Sequence, residues 1–434
     1  MLNVGVSISS GRILIGLDRP HNENESGIGD EIENTNFFWT VFNLWNDVLS
    51  AGCVAFPFYV RSTGLWAFPG VVIVFAILTG YTLDLSFYLS KKYKSPSLPS
   101  LSRLAFGRPG YILSCFFMFI FNFGGLVGSL IILGDIIPRL YNAFGGPPSS
   151  FARHNWILIY CSSLLLPMNF AQKISNLTFN SFVSMVSIVG VVIVVFISSL
   201  IDKSWTNPLS QPILHNRTDV FSFFSAFGGL SYSFVCHDIS FNVFSSMKNN
   251  TTKRWRIVIV CVLVLTVLSF FLIGYGGFIQ FRDDTGDDIL ENFNDADVIA
   301  NVGRIFLCIN ILLSIPYSCF MPRVSIYSIY TLYFGQPNKP WKNHLINLII
   351  TLFVSGIAFA LSELIDDLGK VYELVGAISA AGMAFILPPA IFLVLEEGSF
   401  WSARKLKQAF VLFLGVLILL TASGSVIVQM VYDK

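Results

Sequence analysis

The run from 38 to 60 is apolar except for Asn43, Asn46, Asp47, Ser50, Gly52 and Pro57 near its middle. A carboxylate at the centre of a membrane-crossing helix costs about 2.5–3.5 kcal/mol on insertion scales, so it normally faces a cavity or a partner. Asp47 therefore reads as a proton-coupling acid, as the countercharge of a cationic substrate, or as a hydrated group nearer the interface. Asn46 and Ser50 are four residues apart and share a helix face. Helix breakers at mid-depth free backbone carbonyls, which persist in a bilayer only where protein, water or a ligand satisfies them. An unwound stretch across Ser50, Ala51 and Gly52 could offer oxygens to a cation, and the freed N–H groups of the adjoining half-helix would suit a carboxylate. The same residues would equally serve a helix-packing interface in which small side chains and an Asn hold two helices together.

The run from 219 to 247 repeats the anomaly. Gly228, Gly229, Ser231 and Ser233 are expected to let its helix unwind, and His237 and Asp238 mark a polar half beyond them. Adjacent residues point to different sides of a helix, so His237 and Asp238 make no metal pair or catalytic dyad. A third polar stretch, in 298–322, carries Asn310 and Ser314 on one face before Pro316. Ser314 either gives an oxygen to a monovalent cation, beside carbonyls of the first run, or bonds the carbonyl of its own preceding turn.

The elements that must hold these residues are set by composition. Of 434 residues, 54% are hydrophobic and 12% charged, against about 25% charged in soluble domains. An ordinary soluble globule and a disordered chain are excluded. The net charge of +1 gives no basic footprint for nucleic acid. Runs long enough to cross a bilayer lie at 38–60, 67–90, 110–138, 156–172, 179–201, 219–247, 256–280, 298–322, 344–362, 371–396 and 407–432, which predicts eleven helices in one transmembrane domain, 37–434. The first and sixth runs hold corresponding places in two five-helix halves, and paired interrupted helices at matched positions point to a transporter site at the midplane.

Residues 1–36 lack the basic start and apolar stretch of a signal peptide and read as a flexible cytosolic tail. With the N-terminus inside, Lys and Arg are about twice as numerous in the cytosolic connections as in the others. The connection 281–297 then lies outside, which suits its acids Asp283, Asp284, Asp287, Asp288, Glu291, Asp295 and Asp297. The sequon Asn216-Arg217-Thr218 also falls outside and makes Asn216 a glycosylation candidate. The cysteines all sit in apolar runs, so no disulfide is expected. No phosphate-binding loop, nucleophile elbow, haem motif or metal-ligand spacing supports an enzyme. No organic cofactor is implied, and nothing in the sequence sets an oligomeric state.

The chain resembles the sodium-coupled neutral amino acid transporters of the amino acid/auxin permease superfamily. The resemblance rests on Val41-Phe-Asn-Leu-Trp-Asn46 with Ser50-Ala-Gly52, Phe234-Val-Cys-His237, Ser314-Ile-Pro316, Pro322-Arg323, Gly376-Ala-Ile-Ser-Ala-Ala-Gly382 and Phe385-Ile-Leu-Pro388, and runs from 37 to about 430. It implies a five-plus-five inverted repeat with one extra helix and symport of a small or neutral amino acid with Na⁺ or H⁺ by alternating access, in the plasma membrane or a lysosomal or vacuolar membrane. Carried onto matching positions, Asn46 and Ser314 become the cation ligands. The substrate would meet Ser50, Ala51 and Gly52 together with Ser233 and Phe234. Asp47 departs from the family, which usually has a small apolar residue there. The rival reading is an amino acid receptor that keeps the fold without flux.

Overall fold

A computed structural model of the chain describes residues 4–9, 12–17, 35–49, 51–145, 177–201, 219–365 and 367–432. The first expected span is broken into α1 (Phe37–Leu49), a 3₁₀ stretch (Ala51–Ala55) and α2 (Phe56–Thr63). Pro57 explains the last joint, since proline is tolerated in the first turn of a helix and not within one. Then follow α3 (Ala67–Tyr93), α4 (Leu98–Ala143), α5 (Leu177–Ile201), α6 (Val220–Phe234), α7 (His237–Ser246), α8 (Thr252–Phe281), α9 (Val298–Phe334) and α10 (Pro340–Leu364). The tenth span is α11 (Leu368–Val375), a π-helical segment (Gly376–Ile386) and α12 (Leu387–Leu395), and α13 (Ala403–Tyr432) closes the chain. Within the tail, β1 (Val4–Ser9) and β2 (Arg12–Leu17) pair antiparallel, Val4 opposite Leu17.

Nine helices among the described residues are long and apolar enough to cross a membrane. The first span is absent from that set because its pieces are short, and 156–172 lies outside the described residues. Two spans run longer than expected. The third begins at Leu98 because Gly107, at φ 69° and ψ −150°, joins a short leading helix, capped by the Ser97 hydroxyl on Ser100 N, to the span proper. The eighth continues past Pro316 to Phe334, with Tyr330 stacked on Phe334 at 5.1 Å.

The two ends of the bundle are closed differently. At one end Thr35 N donates to Ser246 O (2.8 Å) and Lys248 N to Thr35 O (2.9 Å), so the start of α1 and the end of α7 share a face. At the other, the acidic connection is tied down. Arg61 donates to Thr285 O at 2.8 Å, Gly369 N to the Asp287 carboxylate at 2.8 Å, and the fully buried Arg304 to the carbonyls of Leu290 (2.9 Å) and Phe293 (2.7 Å). Behind this connection α6 crosses α11 and the π segment at Gly228 and Gly376. A Cβ at Gly228 would stand 2.0 Å from the Glu373 carbonyl, and one at Gly376 1.9 Å from the Gly228 carbonyl, so only glycine lets these backbones meet.

Candidate substrate and cation site

The two interrupted helices meet. A Cβ at Gly52, in the 3₁₀ stretch, would lie 3.5 Å from Tyr232 of α6 and 3.8 Å from Tyr372 of α11. Those two rings stack at 4.7 Å and 17°, with their hydroxyl ends over Gly125 and Gly128 of α4. The sixth span breaks later than its glycines suggest. Ser231 and Ser233 donate back to Phe227 O (2.7 Å) and Gly229 O (2.8 Å) and stay helical, as does Phe234. The chain leaves the helix at Val235 (φ −83°, ψ 126°) and Cys236 (φ −137°, ψ 24°) and restarts at His237. Gly228 and Gly229 make room instead for the Glu373 carbonyl and the Tyr59 ring. Ser50 and Asn216 lie outside the described residues, and Ala51 is placed by its backbone alone.

Asn46 stands in a polar relay between three helices. Its Oδ1 accepts from the Ser184 hydroxyl of α5 at 3.1 Å, while Asn310 Nδ2 of α9 donates to Ser184 Oγ (2.9 Å) and O (3.1 Å). Asn310 Oδ1 is buried without a partner, an acceptor left over in an apolar setting. Ser314, one turn on, donates to Ile311 O at 3.1 Å; its lone pairs remain acceptors. α9 packs against Ala51–Ala55, so Asn310 and Ser314 belong to the helix beside the first break. Ser184 is the member of this relay that sequence reasoning missed, although a serine within the apolar run 179–201 is visible.

Asp238 and His237 part company as their adjacency requires. Thr82 of α3 donates its hydroxyl to the carbonyl of Leu78 (3.0 Å) or Thr79 (3.2 Å), so it accepts from His237 Nε2 at 3.1 Å and fixes that tautomer. His237 Nδ1 is left buried and unpartnered. Asp238, 6% exposed, accepts from Asn122 Nδ2 of α4 at 3.1 Å on Oδ2, and its Oδ1 has no partner. α1 packs against α7, so Asp47 and Asp238 stand on neighbouring helices. A cavity beside the start of α4 reaches Asp238, lined also by Ser97, Tyr111, Cys115, Met118 and Asn242. Glu373, 1% exposed and accepting from Ser225 at 3.1 Å, is a further buried acid that sequence reasoning passed over, though the rule that singled out Asp47 applies to it. Among the described residues no cluster of His, Cys, Asp and Glu could hold a metal ion.

Interrupted helices packed against each other inside a bundle of apolar spans define an integral membrane protein with a transporter fold. Solved structures agree on the fold. MhsT in complex with L-phenylalanine superposes with a TM-score of 0.56 at 14% identity, covering 91% of this chain and 98% of that one. A Na⁺-coupled sialic acid symporter gives 0.58 at 13% identity, covering 94% and 92%. The model of the transmembrane amino acid transporter protein family matches residues 33–430, and the chain belongs to that family. Its relatives include a rat protein provisionally named sodium-coupled neutral amino acid transporter 11, 28% identical over 87% of this chain and 82% of the relative. Vacuolar amino acid transporter 2 of Saccharomyces cerevisiae is 25% identical over 90% and 82%. All are named as transporters, and this chain is no enzyme.

Proposed function

We propose that the protein carries an amino acid across the membrane by cation-coupled symport, with Na⁺ or H⁺ as the coupling ion and alternating access about the two interrupted helices. The observation that supports this best is the approach of the first break to the sixth span, Gly52 against Tyr232, in the turn that precedes the second break at Val235. Backbone freed at 51–55 and 235–236 supplies donors and acceptors for the amino and carboxylate groups that every amino acid carries. Asn46, with Ser184, Asn310 and Ser314 on the helices beside it, supplies oxygens suited to a hard monovalent cation, and Na⁺ coupling has the support of the rat relative's name. The names of such relatives favour a neutral side chain, while the carboxylates gathered at the breaks do not. The five-plus-five repeat, a cytosolic N-terminal tail and an outer face carrying the connection 282–297 and Asn216 complete the reading. The yeast relative supports a vacuolar or lysosomal membrane as host beside the plasma membrane.

The test is uptake of labelled amino acids into liposomes holding the purified chain, under an imposed Na⁺ or proton gradient with the voltage clamped. Accumulation above equilibrium is expected under one gradient. Binding without accumulation under either would make the protein a receptor built on a transporter fold.

A further inference from the structure

We propose that the substrate carries a cationic side chain, and that Asp47 and Asp238 bracket its ammonium or guanidinium group on the side of the two breaks where Thr35 meets Ser246. This deepens the transport reading by naming the substrate class, and rests on that reading for where the amino acid's α-groups bind.

Four observations carry it. First, the two carboxylates come from different spans, Asp47 in the last turn of α1 and Asp238 in the first turn of α7, and those two helices pack against each other. Both are on the same side of the breaks, that of Thr35 and Ser246. Second, among the described residues neither has an ion-pair partner, and Asp238 Oδ1 is buried with no side-chain hydrogen-bond partner. Two carboxylates on neighbouring helices in a low-dielectric site are relieved by a shared proton or by a cation placed between them. Third, what surrounds them accepts hydrogen bonds or presents ring faces. Tyr317 Oη of α9 is buried and unpartnered. His237 turns away to Thr82, and Asn122 donates to Asp238 Oδ2. An ammonium with three donors, or a guanidinium with five, fits such a set, and aromatic faces add cation–π attraction. A neutral side chain would leave the acids unsatisfied. Fourth, Asp238 lines the cavity beside the start of α4, together with Ser97, Asn242, Ser325 and Ser328, so its carboxylate borders open space.

The spacing agrees. Asp47 precedes Ala51, the first described residue of the break, by four positions, about 6 Å of helix rise, which the four-carbon stem of a lysine spans. An amino acid held at the breaks by its α-groups would thus place a terminal cation, and no short side chain, beside the acids.

The experiment measures thermal stabilisation of the detergent-purified full chain by L-lysine, L-arginine and L-alanine, then uptake of each in liposomes. Lysine or arginine is expected to raise Tm at concentrations at least tenfold below those alanine needs. Asp238→Asn should abolish that preference while Asp238→Glu keeps part of it, and Asp47→Asn gives a second reading should Asp238→Asn not fold. Equal or better stabilisation by alanine, or lysine binding untouched by Asp238→Asn and Asp47→Asn, overturns the proposal while leaving transport standing. Lysine-selective binding with no flux under any gradient would uphold the site and overturn the transport reading instead.

Discussion

The two ends of the bundle are built to opposite specifications. At the N-terminal end a cavity runs to Asp238, and buried polar atoms such as Asp238 Oδ1, His237 Nδ1 and Tyr317 Oη stand without partners. At the 282–297 end many polar groups are tied to one another, Arg61 to Thr285, Asp287 to Gly369, Arg304 to Leu290 and Phe293, and Ser225 to Glu373, although Asp288 Oδ2 and Arg304 Nε are buried there without partners. Unsatisfied polar groups are costly and are kept where something else must bind, whereas a satisfied network holds one geometry. Unpartnered atoms occur at both ends, and what distinguishes the ends is the cavity beside Asp238 at one and the connection tied to the surrounding helices at the other.

The sharpest way to break the contrast is at the glycine crossing. Gly228→Val would drive its side chain into the Glu373 carbonyl, with no rotamer to escape to. We expect a loss of about 3 kcal/mol or more, read as failure to elute as a single species from size exclusion. Next is the tie on the connection. Arg61→Ala removes a charged donor from Thr285 O, an interaction of about 1.5–3 kcal/mol. Amides in 282–297 should then exchange at least tenfold faster while those of α7 do not change. Asn46→Ala takes away the acceptor of the Ser184 hydroxyl, and we expect the cation concentration for half-maximal uptake to rise several-fold; unchanged activation would remove Asn46 from the cation site.

The smallest effect is a pH slope at the shut end. Burial, then the charge of Glu291, holds the Asp288 carboxyl well above the usual carboxylate range, and burial also raises Asp287. A carboxyl whose folded value is raised binds its proton more tightly in the folded state, so its contribution to stability is greatest at acid pH. That contribution declines as pH rises from about 4 through the raised value. Wild-type Tm should therefore climb on acidification from pH 8 to 5, and Asp288→Asn should flatten the climb. An equal slope in both proteins would place the titration elsewhere.

Much of this was legible in the residues. Apolar length located the spans, as 67–90, 256–280 and 344–362 lie within α3, α8 and α10. The first break announced itself through Ser50, Gly52 and Pro57, because mid-membrane helix breakers have few other uses. In the sixth span the same rule misplaced the break, since a glycine reads identically whether it frees a helix or lets a neighbour approach. Only the position of the Glu373 carbonyl and the Tyr59 ring decides between them. Asp47 stood out alone, yet its pairing with Asp238 depends on the packing of α1 against α7, which no local pattern encodes. The relay through Ser184 and the bond from Asn122 were hidden for the same reason.

Alternating access requires that one end of the bundle open as the other shuts. With the seven native cysteines replaced by serine, spin labels at Ser97 and Asn242 would report across the cavity, and labels at Trp66 and Lys370 across the 282–297 end. Adding amino acid together with the coupling cation should shift the two distances in opposite directions. Two distances that move together, or do not respond to ligand at all, would contradict alternating access about these breaks.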